Sequence, residues 1–106
     1  MVRTQKFGKL DFIGYVNVKK LGGYNALEKL LNENNVDYDI YSVSAKYGKF
    51  GGGQVYENDD YIIISTYSRS IHPRNLNLKK IYVYDLYAIK KDDFNKIKGK
   101  LPIQEN

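Results

Sequence analysis

The run Tyr61-Ile62-Ile63-Ile64 constrains the fold of this chain most. Three consecutive isoleucines leave no polar side on a strand, so the segment 61–68 has to be covered on both faces. At four apolar residues it is far too short to cross a bilayer. The segment 80–89 has the same property. Ile81, Val83, Tyr87 and Ile89 alternate onto one side, and Tyr82, Tyr84, Leu86 and Ala88 onto the other. Two such strands belong at the centre of a sheet.

The remaining elements are read around that centre. Residues 11–19 form a strand with Phe12, Val16 and Val18 on one face, ended by Gly22-Gly23. Asn25 is placed as an N-cap, with Glu28 three residues on completing a capping-box exchange. Tyr24, Leu27, Leu30 and Leu31 recur at helical spacing, and Asn34-Asn35 is the stop. Residues 37–46 read as a strand with Tyr41, Val43 and Ala45 on one face and Tyr38 and Ile40 on the other. A glycine loop follows, then a short strand at 54–57 and a turn at Asn58-Asp59. Asp92 is placed as the cap of a final helix facing Phe94, Ile97 and Leu101 inward, with Gly99 as its C-cap and Pro102 as its stop. Short connections favour antiparallel pairing. The expected fold is α+β: a small, mostly antiparallel sheet of four to five strands with two helices packed on one face, in the order β-α-β-(β)-β-β-α. It is expected as a single domain over 1–106, with 1–9 a flexible basic arm and 102–106 a frayed tail.

Composition narrows the chemistry. With no cysteine among 106 residues, disulfides, thiolate metal sites and cysteine nucleophiles are excluded. The net charge of +5 is unevenly spread. Residues 1–68 balance, whereas residues 69–101 carry nine basic side chains against three acidic. Such segregation suits a polyanion or an acidic protein surface, although an ordinary solvated face produces it too. The 11 tyrosines and 4 phenylalanines suit stacking on bases when interleaved with lysines. An A/T-rich coding sequence, rich in Lys, Asn, Ile and Tyr codons, yields the same composition.

Five constellations carry possible chemistry. Lys46, Tyr47, Lys49 and Phe50 lead into Gly51-Gly52-Gly53, a loop able to approach phosphate closely or simply a relaxed hairpin tip. It lacks the Gly-Lys-Ser/Thr of a P-loop and the order of an RNP1 motif. Arg69, His72 and Arg74 surround the chain's one imidazole with two guanidiniums, the minimum for metal-free phosphodiester cleavage. Asp37, Asp39, Glu57, Asp59 and Asp60 with Lys46 have the types of a Mg²⁺ nuclease, but Ser44 stands where its acid two residues before the lysine belongs. Lys90, Lys91, Lys96, Lys98 and Lys100 flank the last apolar stripe, beside Lys79 and Lys80 upstream. Tyr82, Tyr84 and Tyr87, with Tyr61 and Tyr67, are the fifth; Tyr82 and Tyr84 point the same way and form a stacking platform if their face is open and core if it is covered.

These readings rank a small, basic, non-enzymatic protein that binds nucleic acid or a nucleoprotein first. A phage- or mobile-element-type inhibitor docking on a host enzyme by protein contact is second. A metal-independent ribonuclease or toxin using His72, Arg69 and Arg74 is third. No cofactor and no metal are expected, no membrane contact, and a cytoplasmic setting.

Overall fold

A computed structural model describes residues 2–45, 52–71, 80–101 and 103–105. Its elements run β1 (Val2–Thr4), β2 (Gly8–Val16), α1 (Val18–Leu21), α2 (Tyr24–Glu33), β3 (Tyr38–Ala45), β4 (Gln54–Glu57), β5 (Tyr61–Ile71), β6 (Ile81–Lys90), α3 (Lys91–Phe94) and β7 (Ile103–Glu105). The strands follow the order β1-β2-β4-β5-β6-β3, all antiparallel, with β7 added to β2. The sheet curls into a half-barrel.

The two strands with no polar side sit at its centre. β5 pairs with β6 from Tyr61↔Lys90 to Ile71↔Ile81. On one face Ile62, Ile64, Tyr87 and Ile89 meet Leu27 and Leu31 of α2, Val18 of α1 and the buried Phe94, Ile97 and Leu101. On the other, Ile63, Tyr84, Leu86 and Ala88 meet Leu10 and Tyr56, with Phe7, Phe12 and Tyr41 packed around them. Each isoleucine so enclosed contributes roughly 1.5–3 kcal/mol of burial. Helices therefore cover one side, and the curled sheet with its β1–β2 turn covers the other.

This corrects the expected α+β domain of four to five strands and two helices. Over the described residues the protein is mostly strand, with seven strands in one sheet and three short helices. Several local reasons account for the difference. Residues 2–4, expected in a loose arm, pair with residues 8–10 through a turn in which Thr4 Oγ1 accepts from Phe7 N at 2.9 Å. Residues 103–105, expected to fray, pair with Gly14–Val16. The expected strand over 11–19 ends at Val16, because Asn17 caps α1 by accepting from Lys20 N at 3.0 Å. A bulge between Phe12 and Gly14 also puts Phe12 and Val16 in opposite cores instead of on one face. Gly23, not Asn25, is the N-cap of α2, which does end at Asn34 with Asn35 at φ 55°. The final helix shrinks to four residues capped by Lys90, not by Asp92. Beyond it Ile97 N and Lys100 N donate to carbonyls three residues back, at 3.0 and 2.8 Å. These tight turns still bury Phe94, Ile97 and Leu101.

Gly53 ties the two halves of the sheet together. Its N–H donates to the Ser65 carbonyl at 2.6 Å and its carbonyl accepts from Val16 N at 2.7 Å. Its φ is +79°, and a Cβ there would run into the Val16 carbonyl oxygen. Gly53→Ala is expected to cost more than about 1 kcal/mol, because strain and a backbone clash act together. Denaturant unfolding of the two proteins checks this; an unchanged midpoint would refute the linking role.

Candidate nucleic-acid interface

β5 changes character at Thr66. Residues 62–66 are buried, with the Ser65 hydroxyl donating to the Gln54 carbonyl at 3.3 Å and the Thr66 hydroxyl to the Asp85 carbonyl at 3.1 Å. From Tyr67 onward the strand leaves the body, and Tyr67, Ser68, Arg69 and Ile71 are exposed. β6 returns alongside it from Lys80. Residues 61–84 carry Arg69, Arg74, Lys79 and Lys80 and not one acidic side chain.

A ring cluster lies on this outer end. Tyr67 stands opposite Tyr84 in the register, with centroids 5.9 Å apart, and Tyr82 lies 6.4 Å from Tyr67. Lys80 Nζ sits 5.3 Å from the centre of the Tyr82 ring. Tyr84 is only 3% exposed and acts as the floor, whereas Tyr67 is 42% exposed. Tyr82 is half-buried. The Tyr67 N–H donates to Tyr24 Oη at 3.3 Å, which anchors the platform to α2. A second bulge, between Tyr67 and Arg69, turns Arg69 to the opposite face, where its register partner is Val83.

Among the described residues, the predicted cations from Lys90 onward do not join this platform. Lys90 stands about ten residues, or roughly 33 Å of strand, from Lys80. Lys91 pairs with Glu57 at 3.6 Å, and Lys96 with Asp93 at 3.4 Å. Lys100 Nζ donates to Asn34 Oδ1 at 2.5 Å. Lys91 and Lys98 do share one open cleft of about 760 Å³, lined also by Phe12, Glu57, Ile62 and Phe94. The basic stretch expected as one docking area is thus two separate groups, and the second is partly neutralised by its own neighbours.

Lys46, Tyr47, Lys49, Phe50, His72, Arg74 and Lys79 lie outside the described residues, as does most of the proposed ribonuclease constellation. Of the acidic set, Glu57 is engaged by Lys91, and Asp59 and Asp60 occupy a turn fixed by Asn58, whose Oδ1 accepts from Tyr61 N at 2.7 Å. Among the described residues no group of three or more His, Cys, Asp or Glu is placed to hold a metal ion. Among them also, no helix is long and apolar enough to cross a membrane. Tyr67 belongs to the tyrosine set read from the sequence, and it is the exposed member here; its contact with Tyr24 was not readable, because it joins residues 43 positions apart. No family model, curated protein or solved structure matches this chain.

Two tyrosines serve structure instead. Burial in the inner core, then the nearby Tyr15 and Tyr84 hydroxyls, pushes the Tyr56 phenol up to about 12. Burial and the hydrogen bond from Tyr87 Oη to Glu28 Oε1, at 2.7 Å, raise Tyr87 as well. Above pH 10 the unfolded chain loses these protons while the folded one keeps them. Stability is therefore expected to hold below pH 10 and to fall as pH rises from about 10 to 12. Denaturant unfolding at steps from pH 8 to pH 12 checks this. Tyr56→Phe with Tyr87→Phe flattens the decline, and an equally steep decline in that variant would refute the assignment.

Proposed function

We propose that this is a non-enzymatic protein that binds single-stranded nucleic acid on the outer end of the β5–β6 ribbon. The observation that carries the reading is the Tyr67–Tyr82–Lys80 cluster at the head of a 24-residue stretch without acidic side chains. Open phenol rings stack on bases of any identity, and the adjacent ammonium holds the phosphate between them. Lys80 lies over the face of the Tyr82 ring and is itself exposed. Backbone phosphate contact of this kind is independent of sequence.

The reading is tested with labelled 12-nucleotide RNA and DNA strands in fluorescence anisotropy at about 50 and about 200 mM salt. Affinity is expected to fall with salt. Tyr67→Ala and Tyr82→Ala are each expected to weaken binding about tenfold, and Lys80→Gln to lower the salt slope by about one charge. Lys91→Gln, at the far cleft, leaves binding unchanged. No binding at low salt, or binding indifferent to salt and to both tyrosine substitutions, would overturn the proposal.

A further inference from the structure

The half-barrel has an open seam. Its strand path begins at β1 and ends at β3, and among the described residues neither terminal strand has a second neighbour. The two face each other across a cleft of about 530 Å³ lined by residues 3–7 and 41–44. Phe7 meets Tyr41 edge-on at 5.0 Å across the gap, and Lys6 Nζ stands 5.5 Å from the centre of the same ring.

The edge of β3 is long, and its one charged side chain is the exposed Asp39 near its start. Its eight residues, Tyr-Asp-Ile-Tyr-Ser-Val-Ser-Ala, pair with β6 in unbroken register, with no bulge, proline or lysine. Alternate residues therefore direct both N–H and C=O away from the sheet. Edges are ordinarily blunted by such devices or by being short. β1 and β7 are three residues long, and the outer part of β5 carries a bulge. The flat edge is kept at β3. Ile40 on it is 46% exposed.

The β1 lip of the seam is cationic. Arg3 and Lys6 line it with no acidic side chain among the lining residues, and Lys9 stands opposite Arg3 in the β1–β2 register. A regular row of donors and acceptors at strand spacing is matched by another extended backbone, and sugar-phosphate lacks that pattern. From these features we infer that the seam is a docking site for an extended, acidic peptide segment of a partner protein. The segment adds to β3 as an antiparallel or parallel strand and places its carboxylates against Arg3 and Lys6. The seam adjoins the tyrosine platform, since Val43 and Ala45 stand opposite Tyr84 and Tyr82 in the β3–β6 register, but it uses the outer backbone edge of β3 and stands whether or not the platform binds nucleic acid.

The test is titration of ¹⁵N-labelled protein with an end-blocked seven-residue peptide of alternating glutamate and valine, followed by amide shifts and exchange. Shifts are expected in residues 2–7 and 38–45, with slowed exchange at alternate β3 amides. The same peptide with lysine for glutamate is expected to leave the spectrum unchanged. Arg3→Glu with Lys6→Glu is expected to weaken binding about tenfold or more without altering the unliganded β3–β6 pattern. The inference is overturned if β3 amides do not respond, if the lysine peptide binds equally well, or if single-stranded RNA produces the same β3 response. Shifts confined to Tyr67–Ile71 and Lys80–Tyr82 would overturn it too.

Discussion

The β5–β6 ladder bears apolar load on both faces, and the rest of the molecule is arranged to relieve it. Ile62 and Ile64 need cover on one side and Ile63 on the other. A single layer of helices satisfies only the first. The second is met by the sheet bending over itself, which brings Leu10, Tyr56 and the β1–β2 turn down onto Ile63 and Leu86. Curvature here is a consequence of a strand pair that has no solvent side.

Bending leaves the sheet with two ends to manage. On one, β1 and β7 divide the outer edge of β2 between them, β1 pairing residues 8–10 and β7 residues 14–16. Chain segments that composition marks as polar and terminal become strands because an unpaired β2 would expose backbone beside a buried core. The other end stops at β3, where the Phe7–Tyr41 contact holds the lips near each other without hydrogen bonding them. The molecule is closed by side chains and open by backbone at that place.

Period-two alternation was legible wherever the strand ran without interruption. The division of β6 into Tyr82, Tyr84, Leu86 and Ala88 against Ile81, Val83, Tyr87 and Ile89 follows from the residues alone; the first set lies in one core, and Tyr87 and Ile89 of the second lie in the other. The inward set Phe94, Ile97 and Leu101 was also readable, because spacing of three to four survives whether the turns are α or tighter. The sheet's size was not readable. β1 and β7 have three residues each and no apolar periodicity of their own, so their pairing depends on the partner edge. Helix caps failed for a related reason: Asn25 has the right chemistry for a cap, but Gly23 has the backbone freedom the preceding turn at Gly22 requires, with φ of 97° and 112°.

The two bulges explain why the site resisted sequence reading more than the core did. An extra residue leaves composition untouched and inverts parity for everything beyond it. The bulge after Phe12 moves Val16 from one core to the other, and packing tolerates this because both cores are apolar. The bulge after Tyr67 acts where one face is rings and the other is solvent. By count Arg69 belongs beside Tyr67; with Ser68 inserted it faces away, and Lys80 is left as the cation over the rings. A charge map drawn along the chain joins Arg69, Lys80, Lys90 and Lys98 into one surface. The fold divides them by face at Ser68 and by strand length between Tyr82 and Lys90. Among the described residues what remains is a small ring platform with one ammonium, and a cleft at the opposite end whose Lys91 is answered by Glu57.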